Sequence, residues 1–258
     1  VRAGGQARFH RTAHEGADAV LVDRLEGRHR GDALLQVRGE DAADAARAFA
    51  DLLGDAGVAT RSAPASGKAV KGSRTVATHW SKPLSALVER ALTNSDNDIA
   101  EALIRQTALK AGEPASFAGS RRATTAELKR LGMPLTGARL ADGSGLDRAD
   151  KVSAGLLARL LALAADRDHP ELRSVLTGLP VAGFSGTLGD RYTATSPATG
   201  LIRAKTGTLT GVNSLAGTAV DAQGRLLAFA FLASGTTSPA EAEATLDTLA
   251  TTLTKGTG

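Results

Sequence analysis

A chain of 258 residues can form one large domain or two modest ones. Apolar residues make up 42% of it and aromatic residues only 3%, so alanine, leucine and valine must fill the core, which favours alanine-rich helices. The formal net charge is +4 and the arginines are scattered along the chain, which argues against a nucleic-acid-binding surface. The chain has no cysteine, which excludes disulfides and cysteine-ligated metals, and no apolar run is long enough to span a membrane.

The first part of the chain carries weak patterns. Residues 18–23 and 32–38 are predicted as two short strands around a charged turn. Asp41 is then predicted to cap a helix whose apolar residues recur at helical spacing, and Gly54 or Gly57 is predicted to end it.

Two features of this region bear on metals and on domain organisation. His10 and His14 have the spacing of zinc ligands on one helix face, but no third ligand accompanies them, so we predict neither a metal site nor a cofactor. The small-residue and proline connector at 62–67 is the best candidate for a domain boundary. Because the chain opens with Val1 and no apolar leader, we interpret it as a fragment or a processed product.

A helical region rich in alanine and leucine follows from Ser81. Two apolar stripes predict a pair of helices joined by a polar corner at 93–98, Thr-Asn-Ser-Asp-Asn-Asp. Within it, Asp98 and Glu101 resemble a capping box, and such residues are common at corners because they cap helices. A further helix is predicted over 120–131.

The next segment is predicted to be a loop followed by a helix. Residues 140–148 read Leu-Ala-Asp-Gly-Ser-Gly-Leu-Asp-Arg, and the pairs Asp142-Gly143 and Ser144-Gly145 are turn dipeptides. Ser153 is predicted to cap the helix that comes after this loop.

The four residues Lys205-Thr-Gly-Thr208 lie on a predicted strand. They place one cation, two hydroxyls and one residue without a side chain along an extended segment. On an accessible sheet edge this pattern can receive a peptide with a terminal carboxylate: Lys205 supplies charge, Thr206 and Thr208 supply hydroxyl donors, and Gly207 permits close approach. A simple turn between two strands is the alternative.

The C-terminal pattern predicts a helix packed on an antiparallel sheet. Strands are predicted over 213–220 and 225–234, and the short turn between them makes a hairpin. Ser238 is predicted as the N-cap of the last helix, with Pro239 as its first residue and Glu241 as the capping-box partner.

Three motifs stand in order along the chain: Ser95-Asp-Asn97, Asp142-Gly-Ser-Gly-Leu146 and Lys205-Thr-Gly-Thr208. Together they resemble the penicillin-recognising serine enzymes, whose signature pairs Ser-x-x-Lys with Ser-x-Asn and Lys-Thr-Gly. The closer resemblance is to the low-molecular-mass penicillin-binding proteins of the D-alanyl-D-alanine carboxypeptidase/endopeptidase family. Segments 81–84 and 186–191 are similar to that family as well, so the resemblance covers about Trp80 to the C-terminus.

This resemblance implies an α+β fold of the β-lactamase/transpeptidase type, with an antiparallel sheet, a C-terminal helix packed on it and an Ala/Leu-rich helical subdomain. Residues 69–258 would form the penicillin-recognising domain, incomplete at its N-terminus. Residues 1–68 would be the C-terminal remnant of a domain that the family inserts into its catalytic domain. The resemblance also implies an extracytoplasmic location, on the cell-wall side.

The implied chemistry is hydrolysis of peptidoglycan stem peptides through an acyl-enzyme that β-lactams also form. Ser95 would pass a proton to the leaving D-alanine, Asn97 would hold the substrate amide or a catalytic lysine, and Lys205 would fix the terminal carboxylate. The implied substrate-binding residues are Thr206, Gly207, Thr208, Ser144 and Arg148, with the Thr208 backbone N–H as an oxyanion donor.

The sequence departs from the family at its nucleophile. No serine in these 258 residues has a lysine three positions later, so the Ser-x-x-Lys motif is absent. We therefore expect the chain to be inactive alone and to need the missing N-terminal part of the same enzyme. The alternative is a non-catalytic module that binds cell-wall peptide beside Lys205. A β-lactamase is a third reading, and the Asp-Gly-Ser-Gly loop argues against it.

Overall fold

Helices and strands alternate in blocks along the part of the chain that the structure describes. The computed structural model of the protein describes residues 42–60, 63–64, 80–193 and 195–256. The elements are helices α1 (Ala42–Asp55), α2 (Leu84–Asn94), α3 (Asn97–Lys110), α4 (Phe117–Arg130), α5 (Ala154–Ala165) and α6 (Arg173–Thr177), strands β1 (Ile202–Leu209), β2 (Val212–Val220) and β3 (Leu226–Ser234), and helix α7 (Pro239–Leu253). Single 3-10 turns form at Pro170–Leu172 and Gly186–Leu188.

The chain divides into two units between Lys82 and Pro83. The described part of the first unit contains α1, which ends as predicted: Gly57 has φ of +79°, a conformation that glycine adopts at helix ends. The predicted strands at 18–23 and 32–38 lie outside the described residues, as do the two histidines considered as metal ligands. The domain division at residue 68 stays a prediction.

The helices of the second unit begin at side-chain caps. Ser153 Oγ accepts a hydrogen bond from the Leu156 N–H at 3.1 Å and Ser238 starts α7, as predicted. Two predictions of helix starts were wrong. Helix α4 begins three residues early because Ser116, rather than a later residue, is its cap. Helix α3 is capped by the carboxylate of Asp96, which accepts from the Ile99 N–H at 3.0 Å, rather than by Asp98.

The three strands form one antiparallel sheet in the order β1-β2-β3. The β1–β2 hairpin turns at Thr210-Gly211, where Gly211 has φ of +78°. The β2–β3 turn is held by the buried carboxylate of Asp221, which accepts hydrogen bonds from the backbone N–H groups of Gln223 and Arg225. The β2–β3 pair confirms the predicted hairpin. In the β1–β2 pair, Lys205 lies opposite Ala216.

The core lies between the sheet and α7. Strand residues that share one face, such as Ile202, Leu215 and Phe229, form a buried cluster with Leu246 and Ala250 of α7. Helix α5 lies against β3 and β2, and α2 to α6 form the helical part of this unit. The predicted α+β architecture with a C-terminal helix on an antiparallel sheet is therefore confirmed. Of the helices in the described segments, none is long and apolar enough to cross a membrane.

Candidate active site

Ser95 stands at the corner where α2 ends and α3 begins. It is the C-cap of α2 with φ of 55° and ψ of 45°, and it is the one non-glycine residue of positive φ among the described residues. The left-handed conformation costs an L-residue about 1–2 kcal/mol. Asp96 caps α3 directly after Ser95, so the two helices follow each other with only these two residues between them.

The structure brings Ser95 together with Lys205, 110 residues later in the chain. Lys205 Nζ donates hydrogen bonds to Ser95 Oγ at 2.9 Å and to the Thr206 carbonyl at 2.8 Å. Burial lowers the pKa of the Lys205 ammonium below its ordinary value, because the charged form loses hydration. The pair thus joins a serine hydroxyl to a partly desolvated amine.

The hydroxyls of Thr206 and Thr208 point to the other face of β1, because side chains alternate along a strand. Thr206 Oγ1 donates to Thr187 Oγ1 at 2.8 Å, and Thr208 Oγ1 donates to Glu243 Oε1 at 2.9 Å. The sequence pattern led us to assign Lys205 and both threonines to one carboxylate. In the structure the ammonium and the hydroxyls have separate sets of partners.

A short turn holds the Ser95 corner against β1. The 3-10 turn starts at Gly186, which has φ of +55°, and a Cβ built there would lie 2.2 Å from the Thr93 carbonyl oxygen, so the position needs glycine. The same turn supplies Thr187 to Thr206. It is followed by Arg191, whose guanidinium forms a bidentate, largely buried ion pair with Asp247 of α7. The spacing between Ser95 and Lys205 therefore depends on this turn.

The loop that starts at Asp142 is organised by its own carboxylate. Asp142 accepts hydrogen bonds from the Ser144 hydroxyl at 2.8 Å and from the backbone N–H groups of Gly145, Leu146 and Asp147. Burial raises the pKa of Asp142, but these hydrogen bonds outweigh it and hold that pKa below its ordinary value. The Ser144 hydroxyl thus donates its proton to a carboxylate of the same loop.

Two long-range contacts tie this loop to both sides of the site. Glu101 Oε1 accepts from the backbone N–H groups of Gly143 and Ser144 at 2.8 and 3.0 Å, which fixes the loop to α3 one turn beyond Asn97. At the other end, Arg148 Nη1 donates to the Thr210 carbonyl at 3.1 Å, in the β1–β2 turn. The loop therefore bridges the helical corner and the strand.

The remaining predicted residues are placed as follows. Asn97 is the first residue of α3 and is exposed, and its amide makes no side-chain hydrogen bond with the residues that the structure describes. Gly207 lies opposite Ser214 in the sheet, and a Cβ there would come 2.4 Å from the Ser214 hydroxyl oxygen unless that hydroxyl rotated. In the described ranges no group of three or more acidic or histidine side chains is placed to hold a metal.

Three residues at the site were not found from the sequence. Thr187 lies in the segment that the resemblance pointed to, so the resemblance could have found it. Glu101 was noticed only as a capping partner. Glu243 lies in a regular amphipathic helix and carries no local signal at all.

A profile of the D-Ala-D-Ala carboxypeptidase 3 (S13) family matches residues 27–255. A carboxypeptidase of Mycobacterium tuberculosis is 41% identical over 197 residues, which are 74% of this chain and 41% of that protein. Carboxypeptidase DacB of Mycolicibacterium smegmatis is 39% identical over 194 residues, 74% of this chain and 42% of that protein. The chain therefore spans about two fifths of the length of these relatives.

The fold has a counterpart among solved structures. The crystal structure of penicillin binding protein 4 from Haemophilus influenzae, complexed with a β-lactam, has a TM-score of 0.70 and 29% identity, and the match covers 82% of this chain and 51% of that chain. This confirms the transpeptidase-like fold that the motifs implied. Because the family profile extends over most of the 258 residues, the protein belongs to the D-Ala-D-Ala carboxypeptidase 3 (S13) family.

Proposed function

We propose that the protein supplies part of the active site of a serine-type D-alanyl-D-alanine carboxypeptidase/endopeptidase that acts on peptidoglycan stem peptides and is inhibited by β-lactams. The observation that carries this proposal is the 2.9 Å hydrogen bond from Lys205 Nζ to Ser95 Oγ, which joins two motifs far apart in the chain. A partly buried lysine of lowered pKa that is hydrogen-bonded to a serine hydroxyl is an arrangement suited to proton transfer. Family membership and the names of the relatives support the same reaction.

The separation of partners along β1 suggests a division of labour. Ser95 passes a proton to the departing D-alanine nitrogen. Lys205 orients the Ser95 hydroxyl, keeps the local potential positive and helps to fix the terminal carboxylate of the peptide. The Thr206 and Thr208 hydroxyls take the terminal carboxylate of the peptide, and the Thr208 N–H serves as an oxyanion donor. Asn97, exposed at the start of α3, holds a substrate amide or a second catalytic lysine.

The loop between the two motifs would form the third side of the binding region. Ser144 and Arg148 are proposed to contact the far end of the stem peptide. Arg148 uses one nitrogen of its guanidinium on Thr210, which leaves other donors of the fork for a carboxylate.

The nucleophile of the acyl-enzyme step is proposed to come from another part of the enzyme, because no Ser-x-x-Lys occurs in these residues. The chain as given is accordingly proposed to be inactive alone. An enzyme that acts on peptidoglycan works on the cell-wall side of the membrane, so we propose an extracytoplasmic location.

The absence of Ser-x-x-Lys also supports a second candidate, a non-catalytic module that binds cell-wall peptide beside Lys205. The experiment that separates the two expresses the chain together with the sequence encoded upstream of Val1 and treats it with a labelled β-lactam. Stoichiometric acylation of a Ser-x-x-Lys serine, seen by intact-mass spectrometry, supports the enzyme. A longer chain without that motif and without an adduct supports the module. An adduct on the 258-residue chain itself would contradict the proposed inactivity, and Ser95 would be the first residue to check.

Peptide binding tests the part of the proposal that both candidates share. By titration calorimetry, Lys205→Ala should weaken binding of an acyl-D-Ala-D-Ala peptide about ten- to a hundredfold, because a hydrogen bond to a charged group is worth about 1.5–3 kcal/mol. Lys129→Ala, which removes a positive charge on α4, is the control and should change little. Equal affinities of the wild type and Lys205→Ala would contradict the assignment of the site.

A further inference from the structure

We propose that Glu243 is a specificity-determining residue whose carboxylate competes with a ligand's terminal carboxylate for the hydroxyl of Thr208. The inference rests on the proposed function, in which the Thr206 and Thr208 hydroxyls receive that carboxylate. It assigns a role to a helix residue that no motif includes. The ligand class concerned is any acyl peptide with a free C-terminal carboxylate.

The contact joins β1 to α7. Thr208 Oγ1 donates to Glu243 Oε1 at 2.9 Å, across 35 residues of sequence. Thr208 is exposed and Glu243 is half-buried in the first turns of α7. A carboxylate of the protein therefore already occupies the donor that the substrate's carboxylate is proposed to use.

The charge of Glu243 is not neutralised by the neighbouring arginine. The Arg191 guanidinium is committed to Asp247, and its Nη2 reaches the backbone carbonyl of Glu243 at 3.3 Å rather than the carboxylate. Within the described segments no lysine, arginine or histidine forms an ion pair with Glu243. Its negative charge is thus free to act on a ligand at Thr208.

A threonine hydroxyl has a single proton to donate, so Thr208 can serve only one carboxylate at a time. Two carboxylates held side by side also repel each other, by an amount that water reduces but does not abolish. A ligand with a free carboxylate must therefore displace Glu243 and work against its charge. A ligand whose C-terminus is amidated carries no such charge and meets no such repulsion.

The test compares Glu243→Gln with Glu241→Gln in the full chain. Glutamine keeps the length and one acceptor oxygen of glutamate but removes its charge. Glu241 lies two positions earlier on α7, where helical geometry directs it to a different side, and it is exposed, so its variant makes the same charge change away from β1. Affinities for an acyl-D-Ala-D-Ala peptide and for its C-terminal amide are measured by titration calorimetry at low and high salt.

Glu243→Gln should bind the free-carboxylate peptide about five- to tenfold more tightly than the wild type and the amide about equally. The gain should shrink at high salt, because salt screens repulsion between partly exposed charges. Glu241→Gln should match the wild type. Unchanged or weaker binding of the free-carboxylate peptide by Glu243→Gln would overturn the inference, as would an equal gain for both peptides.

The parallel measurement on Lys205→Ala keeps the two proposals apart. If Lys205→Ala weakens binding but Glu243→Gln does not strengthen it, the role of Glu243 is wrong and the proposed function stands. If neither the wild type nor Glu243→Gln binds the peptide, or if Lys205→Ala has no effect, the proposed function fails and the inference with it.

Discussion

Ser95 occupies a backbone conformation that an L-residue rarely adopts, at the position where glycine or asparagine would be expected to end a helix. Its hydroxyl is nevertheless the partner of Lys205. Ser95 therefore adopts the left-handed conformation that the fold requires at this corner, and it also supplies a hydroxyl, which the fold does not require. Substitutions can separate them.

Ser95→Gly should be more stable to urea than Ser95→Ala by about 1 kcal/mol, because glycine adopts positive φ without the Cβ clash. Both variants lose the hydroxyl that Lys205 contacts. Ala126→Gly, in the exposed interior of α4, is the control and should have the opposite sign, costing about 1 kcal/mol. Equal stabilities of the two Ser95 variants would mean that the corner relaxes out of the left-handed conformation.

Asp142 and Asp150 are neighbouring carboxyls, joined by a hydrogen bond, in the loop beside the site. Burial raises the pKa of Asp150 to about 6; the N–H of Ala141 opposes this, and the carboxylates of Asp142 and Asp147 add to it. The pKa of Asp142 is held below its ordinary value. Below about pH 6 Asp150 therefore keeps its proton while Asp142 stays ionised and organises the loop.

The two shifts have opposite consequences for stability. Because the pKa of Asp150 is raised, its contribution to stability is fully present below its pKa in the unfolded chain, near 3.8, and is lost as pH rises through about 6. Because the pKa of Asp142 is lowered, its contribution is present only above the pKa of the unfolded chain. The free energy of unfolding should therefore fall between pH 5 and pH 7, by about 1 kcal/mol after allowance for the loop's exposure.

Urea titrations at both pH values check this prediction, and Asp150→Asn should abolish the fall, because asparagine can accept from Ala141 and donate to Asp142 without titrating. An identical fall in that variant would place the titrating group elsewhere.

At the scale of elements, the loop at 142–148 has no regular structure of its own and depends on contacts to two others. Glu101 fastens it to α3, and Arg148 fastens it to the β1–β2 turn. An added Cβ at Gly143 would lie 2.6 Å from the Ile104 side chain, so the loop also packs closely on α3. The loop and α3 should therefore behave as one rigid unit.

Glu101→Ala should destabilise the fold by about 1–3 kcal/mol, since it leaves the Gly143 and Ser144 N–H groups without their acceptor. Glu101→Gln should retain most of the stability, because its amide oxygen can accept the same hydrogen bonds. Hydrogen exchange at the two amides, followed by NMR, reports the loop directly. Glu127→Ala, which breaks an exposed pair with Arg130, is the control and should cost less than about 1 kcal/mol. Unchanged amide protection in Glu101→Ala would show that packing alone holds the loop.

At the scale of the whole molecule, the second unit combines a small sheet with helices that carry few aromatic side chains. The sheet's buried face relies on residues such as Leu215 and Phe229, and five of the eleven buried residues of this cluster are alanines. Glycine is also needed within the sheet, because a Cβ at Gly217 of β2 would lie 2.0 Å from the carbonyl oxygen of Arg203 on β1. The low aromatic content of the sequence thus appears in the structure as a core built mainly of aliphatic side chains.

Local sequence determined where most elements begin and end. Ser153 and Ser238 predict their helices because a cap needs only a hydroxyl and a nearby N–H, and the hairpin follows from a turn at 221–224 between two strand-forming runs. The order of the three motifs was enough to indicate the family, since motif order is a property of the chain itself. The start of α4 was predicted at residue 120 because serines at 116 and 120 can both begin a helix, and the local sequence does not distinguish them.

Only the tertiary structure decided which side chains meet. The pairing of Ser95 with Lys205 spans 110 residues, and those of Glu101 with the loop and Glu243 with Thr208 span 42 and 35. No periodicity encodes such contacts, because they depend on how separate helices, strands and loops come together in three dimensions. The alternation of side chains along β1 is visible in the sequence. That Lys205 on one face contacts Ser95 while Thr208 on the other contacts Glu243 is decided by the elements packed on each face.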